Sequence, residues 1–319
     1  MKSEPAIQIE SVQGPAFVQD GGRRGAMHDA LPPGGALVPE LLAVTQRALG
    51  LPWNEAALEI YGGLAIRALQ SMCVSLDGVV HALAANDVFR VQPSPRTRLR
   101  YLAIEGGLDV PVVLGGRGTL VSLGIGGFEG RALKRGDVLR TARRAICVRP
   151  EAPPSEVRRG TSAPVSNGRG GVEGRRVESL EAWLRDPSPI RVVAGPDLDR
   201  FTNAARDTLT RTAFTITPES DRVGARLDGL ALARVDSDDG GSRPMVAGAI
   251  EVPAHGRPIV LGPDHPTTGG YPVIAVVIRA DLGRFRARAG TEIRFSEISV
   301  EQARAAWVHH AARWFSDDP

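Results

Sequence analysis

The chain has 319 residues, 42% of them apolar, and is long enough for two domains that each bury a core. A formal net charge of +3 and an aromatic content of 5% leave little with which to stack single-stranded nucleic acid, so no nucleic-acid partner is expected. The opening Met-Lys-Ser-Glu-Pro has no apolar signal core, and no apolar run is long enough to span a bilayer; a cytoplasmic protein with no membrane partner is expected.

The 37 glycines and 24 prolines favour short strands joined by tight turns. In chain order, residues 7–12 alternate and predict a strand. Residues 40–49 predict a helix, with Pro39 ahead of it and Gly50 closing it. Short β-like runs follow at 57–60, 65–69, 88–91 and 99–104, punctuated by Gly62-Gly63 and Gly106-Gly107. Residues 190–193 predict a strand. Asp197 reads as the N-cap of a helix over 198–209. Further strands are expected at 214–217, 245–252, 258–261 and 272–278. Ser299-x-x-Gln302 is a capping box, opening a last helix with Val300, Ala303, Trp307, Ala311 and Trp314 on one face.

Strands and isolated helices in this order, without βαβ alternation, predict a mainly β fold built as two β-barrel domains. Residues 1–149 form the first and 179–319 the second, the latter ending in the terminal helix. Between them, 150–178 reads as a basic linker rich in Gly, Pro and Ser, with too little apolar surface to offset its ordering entropy. Cys73 and Cys147, each flanked by apolar residues, are expected to be buried thiols, and no metal site is expected.

Four clusters set polar side chains beside glycines. Gln19-Asp20-Gly21-Gly22-Arg23-Arg24-Gly25, with His28 close behind, suits a carboxylate or phosphate ligand, or else is a turn with an internal Asp–Arg pair. Glu105-Gly106-Gly107-Leu108-Asp109 with Gly115-Gly116-Arg117-Gly118-Thr119 can present N–H groups to an anion, but matches no Walker loop. In Ser220-Asp221-Arg222-Val223-Gly224-Ala225-Arg226, Arg222 and Arg226 can point toward one anion, or the run is a hairpin strand with surface ion pairs. Asp264-His265-Pro266-Thr267-Thr268-Gly269-Gly270-Tyr271-Pro272 gathers hydroxyls, glycines and an ionisable pair between apolar strands, and reads as a ligand site. His265 is a general acid or base there, or is held by its own hydrogen bonds. The acidic run Asp236, Asp238, Asp239 lacks the glutamate that a calcium loop needs and is expected to be a solvated loop.

Taken in order, several stretches resemble the 5-oxoprolinase C-subunit family, also described as biotin-dependent carboxyltransferase or allophanate hydrolase second-subunit-like proteins. They are Gln19-Asp20-x-Gly22-Arg23, Ala56-Ala57-Leu58-Glu59-Ile60, Arg100-Tyr101-Leu102-Ala103-Ile104-x-Gly106-Gly107, and Gly127-Phe128-Glu129-Gly130-Arg131-Ala132-Leu133. The second half adds Gly195-Pro196, Ser220-Asp221-Arg222-Val223-Gly224-x-Arg226-Leu227, Gly248-Ala249-Ile250-x-Val252-Pro253 and Thr267-Thr268-Gly269-Gly270-Tyr271-Pro272. The resemblance covers nearly the whole chain and extends to the urea carboxylase carboxyltransferase domain.

The resemblance implies cyclophilin-like β-barrels and a role within an ATP-dependent 5-oxoprolinase, a hydrolase that opens a cyclic amide to L-glutamate. Its partners would be a sister B-subunit of related fold and a third, A-type member, with ATP bound by the complex. Asp221, Arg222, Thr267, Thr268 and Tyr271 would be catalytic. Asp20, Arg23, His28, Arg226, His265, Gly269 and Gly270 would bind substrate or phosphate. The alternatives are carboxyl transfer from biotin, with the carrier supplied from elsewhere, and a non-catalytic regulatory subunit that binds a kinase-inhibitor-like partner. The chain departs from the family pattern at Val38, Gln46, Gly118 and Pro266.

Overall fold

The computed structural model of the protein describes residues 3–23, 25–95, 97–141, 170–235, 241–287 and 290–316. The chain folds as two units. One comprises Met1–Gly22 and Pro39–Ala182, the other Arg23–Val38 and Trp183–Pro319. The fold is mainly β, as its pattern of short apolar runs and Gly/Pro turns predicts.

In the first unit, strands β1 (Glu4–Gln13), β2 (Ala16–Gln19), β3 (Ala57–Ile60), β4 (Gly63–Ala68), β5 (Met72–Leu76), β6 (Val79–Leu83), β7 (Val88–Val91), β8 (Arg100–Ile104) and β9 (Val138–Thr141) make two antiparallel sheets. Their orders are β7-β4-β1-β9 and β2-β3-β8-β5-β6. Period-two alternation aims Ile7, Ile9, Leu64, Ile66, Val74, Leu102 and Ile104 into one core. Each such fully buried aliphatic side chain is worth about 1.5–3 kcal/mol.

The β5–β6 hairpin turns on Asp77-Gly78, both at positive φ (50° and 90°). That is the backbone a two-residue turn between twisted strands requires. Asp77 fastens the turn: it accepts the Tyr101 N–H (2.8 Å) and the Arg100 Nε–H (2.6 Å). A Cβ on Gly78 would lie 2.7 Å from Val44 of helix α1 (Pro39–Arg47) and 2.8 Å from Val177 of helix α2 (Gly170–Arg185), so both helices close on this turn.

Helix α2 corrects one expectation. Of the basic linker expected over 150–178, residues up to 169 lie outside the described residues, but 170–178 are helical. Val177 and Leu180, three apart on one face, give that helix its packing side, and Leu180 is fully buried. Cys73 is also corrected. It lies on β5 between buried Met72 and Val74, so alternation turns it outward and leaves it half-buried. Cys147 and the acidic run Asp236, Asp238 and Asp239 lie outside the described residues.

The second unit contains β10 (Ile190–Ala194), β11 (Phe214–Ile216), β12 (Gly224–Asp228), β13 (Arg243–Pro244), β14 (Ala249–Glu251), β15 (Ile259–Leu261), β16 (Thr268–Gly269), β17 (Val273–Val277), β18 (Glu292–Ile293) and β19 (Phe295–Glu297). Eight of these form one sheet in the order β18-β11-β12-β15-β14-β17-β10-β19. Its two edge strands are consecutive in the chain, with only Arg294 between them. The sheet therefore curls until its edges nearly meet, the barrel solution to exposed strand edges. The remaining strands, β13 and β16, pair as a small antiparallel ribbon.

Three helices decorate this sheet: α3 (Asn203–Arg211), α4 (Arg279–Ala287) and α5 (Val300–Trp314). The expected helix over 198–209 is broken. Leu198–Arg200 is a single 3-10 turn, and α3 starts afresh with Thr202 as N-cap, its hydroxyl accepting the Ala205 N–H (3.1 Å). Asp197 is no cap, because its carboxylate is spent on Val273 and Arg243. The Ser299–Gln302 capping box forms as expected. The buried side of α5 is narrower than the predicted stripe, and Trp314 and His310 carry it. Both rings pack tilted against Trp183, with centroids at 6.0 and 5.2 Å, while Val300 stays exposed.

Candidate functional site

The first cluster belongs to two units: Gln19, Asp20, Gly21 and Gly22 to the first, Arg23 and His28 to the second. Asp20 is 6% exposed. Its two oxygens accept the Arg117 N–H (2.6 Å) and the Gly22 N–H (2.9 Å). The amide of Gln19 donates to the Thr119 carbonyl (3.0 Å), and its buried Oε1 has no hydrogen-bond partner among the described residues. These bonds lash the turn after β2 to the loop at Gly116–Thr119.

Gly118 sits between them. A Cβ there would come within 2.6 Å of Gln19 Oε1 and 2.9 Å of Asp20 Oδ1, so a side chain at this position would crowd both groups. The Gln46 departure is a clamp, its side-chain amide donating to the Glu55 (2.8 Å) and Ala56 (3.0 Å) carbonyls at the start of β3.

Much of the backbone in the glycine-dense loops is used within the loops themselves. The N–H groups of Gly107, Gly116, Gly124, Gly127 and Gly130 are each taken by a backbone carbonyl. An anion nest needs such groups free and convergent.

In the second unit, Arg23 is almost fully buried, and its N–H bonds the Pro33 carbonyl (2.7 Å). His28 is exposed on a short 3-10 turn beside Asp29 (3.2 Å). Val38 is a fully buried core residue.

The third and fourth clusters do come together. Arg222 binds Asp264 through two parallel bonds, Nε to Oδ2 at 2.8 Å and Nη2 to Oδ1 at 2.9 Å, with both side chains nearly buried. The same Nη2 donates to the Gly35 carbonyl (2.6 Å), and the Gly34 N–H bonds the Pro263 carbonyl (2.9 Å). Three loops are thereby tied at one guanidinium. Asp221 acts locally, its Oδ1 accepting the N–H groups of Val223 (2.8 Å) and Gly224 (3.0 Å). Arg226 is exposed on β12 and does not converge with Arg222, because the alternation breaks where β12 begins.

His265 is wholly buried. Its Nδ1 lies 2.7 Å from the Pro266 carbonyl, so this nitrogen carries the proton and Nε2 keeps a lone pair with no partner among the described residues. Burial pulls the imidazole below the ordinary histidine range, helped by the Arg286 charge and only partly opposed by Pro266 and Asp264. It is a neutral side chain at physiological pH.

The turn beyond it is more open. The Thr267 carbonyl accepts the Met245 N–H (2.9 Å), Thr268 and Gly269 pair with Pro244 and Arg243, Gly270 is half-buried, and Tyr271 is 41% exposed.

Beside this turn the structure sets charged residues that the sequence pattern did not single out. Glu251, on β14, is 7% exposed and has no hydrogen-bond or ion-pair partner among the described residues. Burial raises its carboxyl above the usual range, offset only in part by the Arg243 charge. Arg243 donates from Nη1 to Asp197 Oδ1 (2.5 Å), and Asp197 Oδ2 accepts the Val273 N–H (2.8 Å). The Arg243 Nε is buried with no partner among the described residues. The only sequence signal for Glu251 was its place inside Gly248-Ala249-Ile250-x-Val252-Pro253. No group of three or more metal-capable side chains occurs among the described residues.

Residues 30–297 match the family model described as carboxyltransferase domain, subdomain A and B. The chain is 32% identical over 304 residues to the C-subunit of 5-oxoprolinase from Escherichia coli K12, covering 90% of this chain and 89% of that one. It is 27% identical to the urea amidolyase of Lachancea kluyveri, covering 94% of this chain but 17% of that one. Its fold matches the crystal structure of the Kluyveromyces lactis urea carboxylase with a TM-score of 0.76 at 23% identity, over all of this chain and 30% of that one.

Proposed function

Because the chain belongs to the carboxyltransferase family of subdomains A and B, we propose that it is one component of an ATP-dependent 5-oxoprolinase, a hydrolase that opens the lactam of 5-oxoproline to L-glutamate. One observation carries this reading: the chain matches a 5-oxoprolinase C-subunit nearly end to end, whereas it matches urea amidolyase as a small part of a much longer chain. The rest of the reaction falls to partner subunits. We place ATP on the complex, as the family resemblance implies; the N–H groups of Gly107, Gly116, Gly124, Gly127 and Gly130 in this chain are engaged in its own turns.

The chemistry proposed for this chain is recognition and charge stabilisation. The Thr267–Tyr271 turn offers hydroxyls and backbone groups at a partly exposed surface. The Arg222–Asp264 pair holds the neighbouring loops in place. Carboxyl transfer from biotin is the second reading, favoured by the carboxyltransferase family match and the likeness to urea amidolyase; the sequence holds no Met-Lys-Met acceptor, so the carrier would come from elsewhere.

The test is to co-express the chain with its sister subunits and assay ATP-dependent glutamate release from 5-oxoproline. Release that depends on this chain is expected. A stable complex without release refutes the reading, and avidin-sensitive carboxylation supports the second.

A further inference from the structure

We propose that Glu251 and Arg243 form a recognition site for a cis-amide edge, the N–H and C=O that a lactam or cyclic ureide presents side by side. The proposal deepens the hydrolase reading and rests on it for the choice of 5-oxoproline as the first probe.

Glu251 is an acceptor held on a barrel strand, 7% exposed and unpaired among the described residues. Arg243 is paired across the β13–β16 ribbon with Gly269, whose Cβ position lies 2.8 Å from Glu251 Oε1. One arm of the guanidinium is anchored on Asp197, itself fixed by the Val273 N–H, so Arg243 is oriented while its buried Nε–H remains without a partner among the described residues. An acceptor and a donor, neither with a partner among the described residues, thus lie beside one turn, the donor fully buried. Leaving a buried donor or acceptor unpaired is costly. A ligand that pairs both recovers that cost, and this is the strongest basis a site has for rejecting analogues that lack the matching group.

The ligand class follows from geometry. A trans peptide directs its N–H and C=O to opposite sides and satisfies one group at most. A five-membered lactam or cyclic urea directs them to the same side, N–H toward Glu251 and C=O toward Arg243. Gly269 packs directly against the carboxylate: a Cβ there would lie 2.8 Å from Glu251 Oε1 and 3.0 Å from Met245 Cε, so a side chain at this position would collide with both. Asp197 is the other charged group of the cluster, and its two oxygens are already occupied.

The experiment is equilibrium binding to the full chain, alone and in the co-expressed complex. The probes are 5-oxoproline, 2-imidazolidone, N-methylated 5-oxoproline and proline. Saturable binding of the first two is expected, weakened at least tenfold by N-methylation and absent for proline. Glu251→Leu, which removes the acceptor, should lose binding tenfold or more with no fall in melting temperature, since it also removes a buried unpaired carboxyl. Glu251→Gln, which keeps an acceptor oxygen, should retain most of it. Equal affinity for the N-methylated probe, wild-type binding by Glu251→Leu, or no binding of any probe in either form overturns the proposal. Binding with this pattern in a complex that releases no glutamate supports the site and removes the hydrolase reading.

Discussion

At the scale of single residues, the Arg222–Asp264 pair shows how a side chain that looks like ligand chemistry can be fully used inside the protein. Its two bonds are parallel and nearly buried, and the guanidinium reaches Gly35 as well. Breaking such a pair strands a buried charge, at a cost of about 3–5 kcal/mol. Asp264→Asn is therefore expected to lower the melting temperature sharply, measured by calorimetry. A replacement that leaves stability unchanged would show that the pair is dispensable. The sequence picked out Arg222 and the Asp264 turn separately, but not that one neutralises the other, since forty-two positions of chain separate them. Glu251 was illegible for a related reason. An acid in a β-run looks like a solvent-facing residue until the fold sets it beneath Gly269.

At the scale of elements, the local signals were read best where one short stretch closes its own hydrogen bonds. The Ser299–Gln302 box forms within four residues, and Ser299→Ala should cost about 1 kcal/mol, seen as a small shift in the denaturant midpoint. Asp197 failed as a cap because tertiary partners, Val273 and Arg243, compete for its carboxylate. Helix α2 was missed because Gly, Arg and Glu dominate its start, and its stability comes from contacts such as Val177 against Gly78. Gly195 marks a close approach of strands. A Cβ would fall 2.2 Å from the Val273 carbonyl oxygen, within the backbone itself. Gly195→Ala should therefore destabilise by about 3 kcal/mol or more, and a chevron measurement that finds less would place the strands further apart.

At the scale of the whole molecule, the second unit relies on a charged knot around Asp281. Burial alone would raise this carboxyl, but the bonds from the Arg191 side chain and N–H, with the Arg284 charge, outweigh it and hold the group below the usual range. The sign follows: a depressed carboxylate contributes stability that is complete above its unfolded pKa of about 3.9 and is lost as pH falls through the folded value. Melting temperature should drop steeply below about pH 4. Asp281→Asn should flatten that acid limb while costing roughly 3 kcal/mol near neutrality, read from thermal scans across pH. An unchanged acid limb would move the linkage elsewhere.

The sequence by itself determined the β-rich class, about half of the strands and the terminal helix with its cap. These depend on periodicity and on Gly/Pro turns, which act over a few residues. Only the tertiary structure decided that the stretch Arg23–Val38 joins the second unit, that β18 and β19 nearly close one sheet, and that Arg222 is spent on Asp264 while Glu251 and the Nε of Arg243 are unpaired among the described residues. Whether a charged side chain is already neutralised or still available depends on partners brought in from distant parts of the chain, and a linear pattern does not encode that pairing.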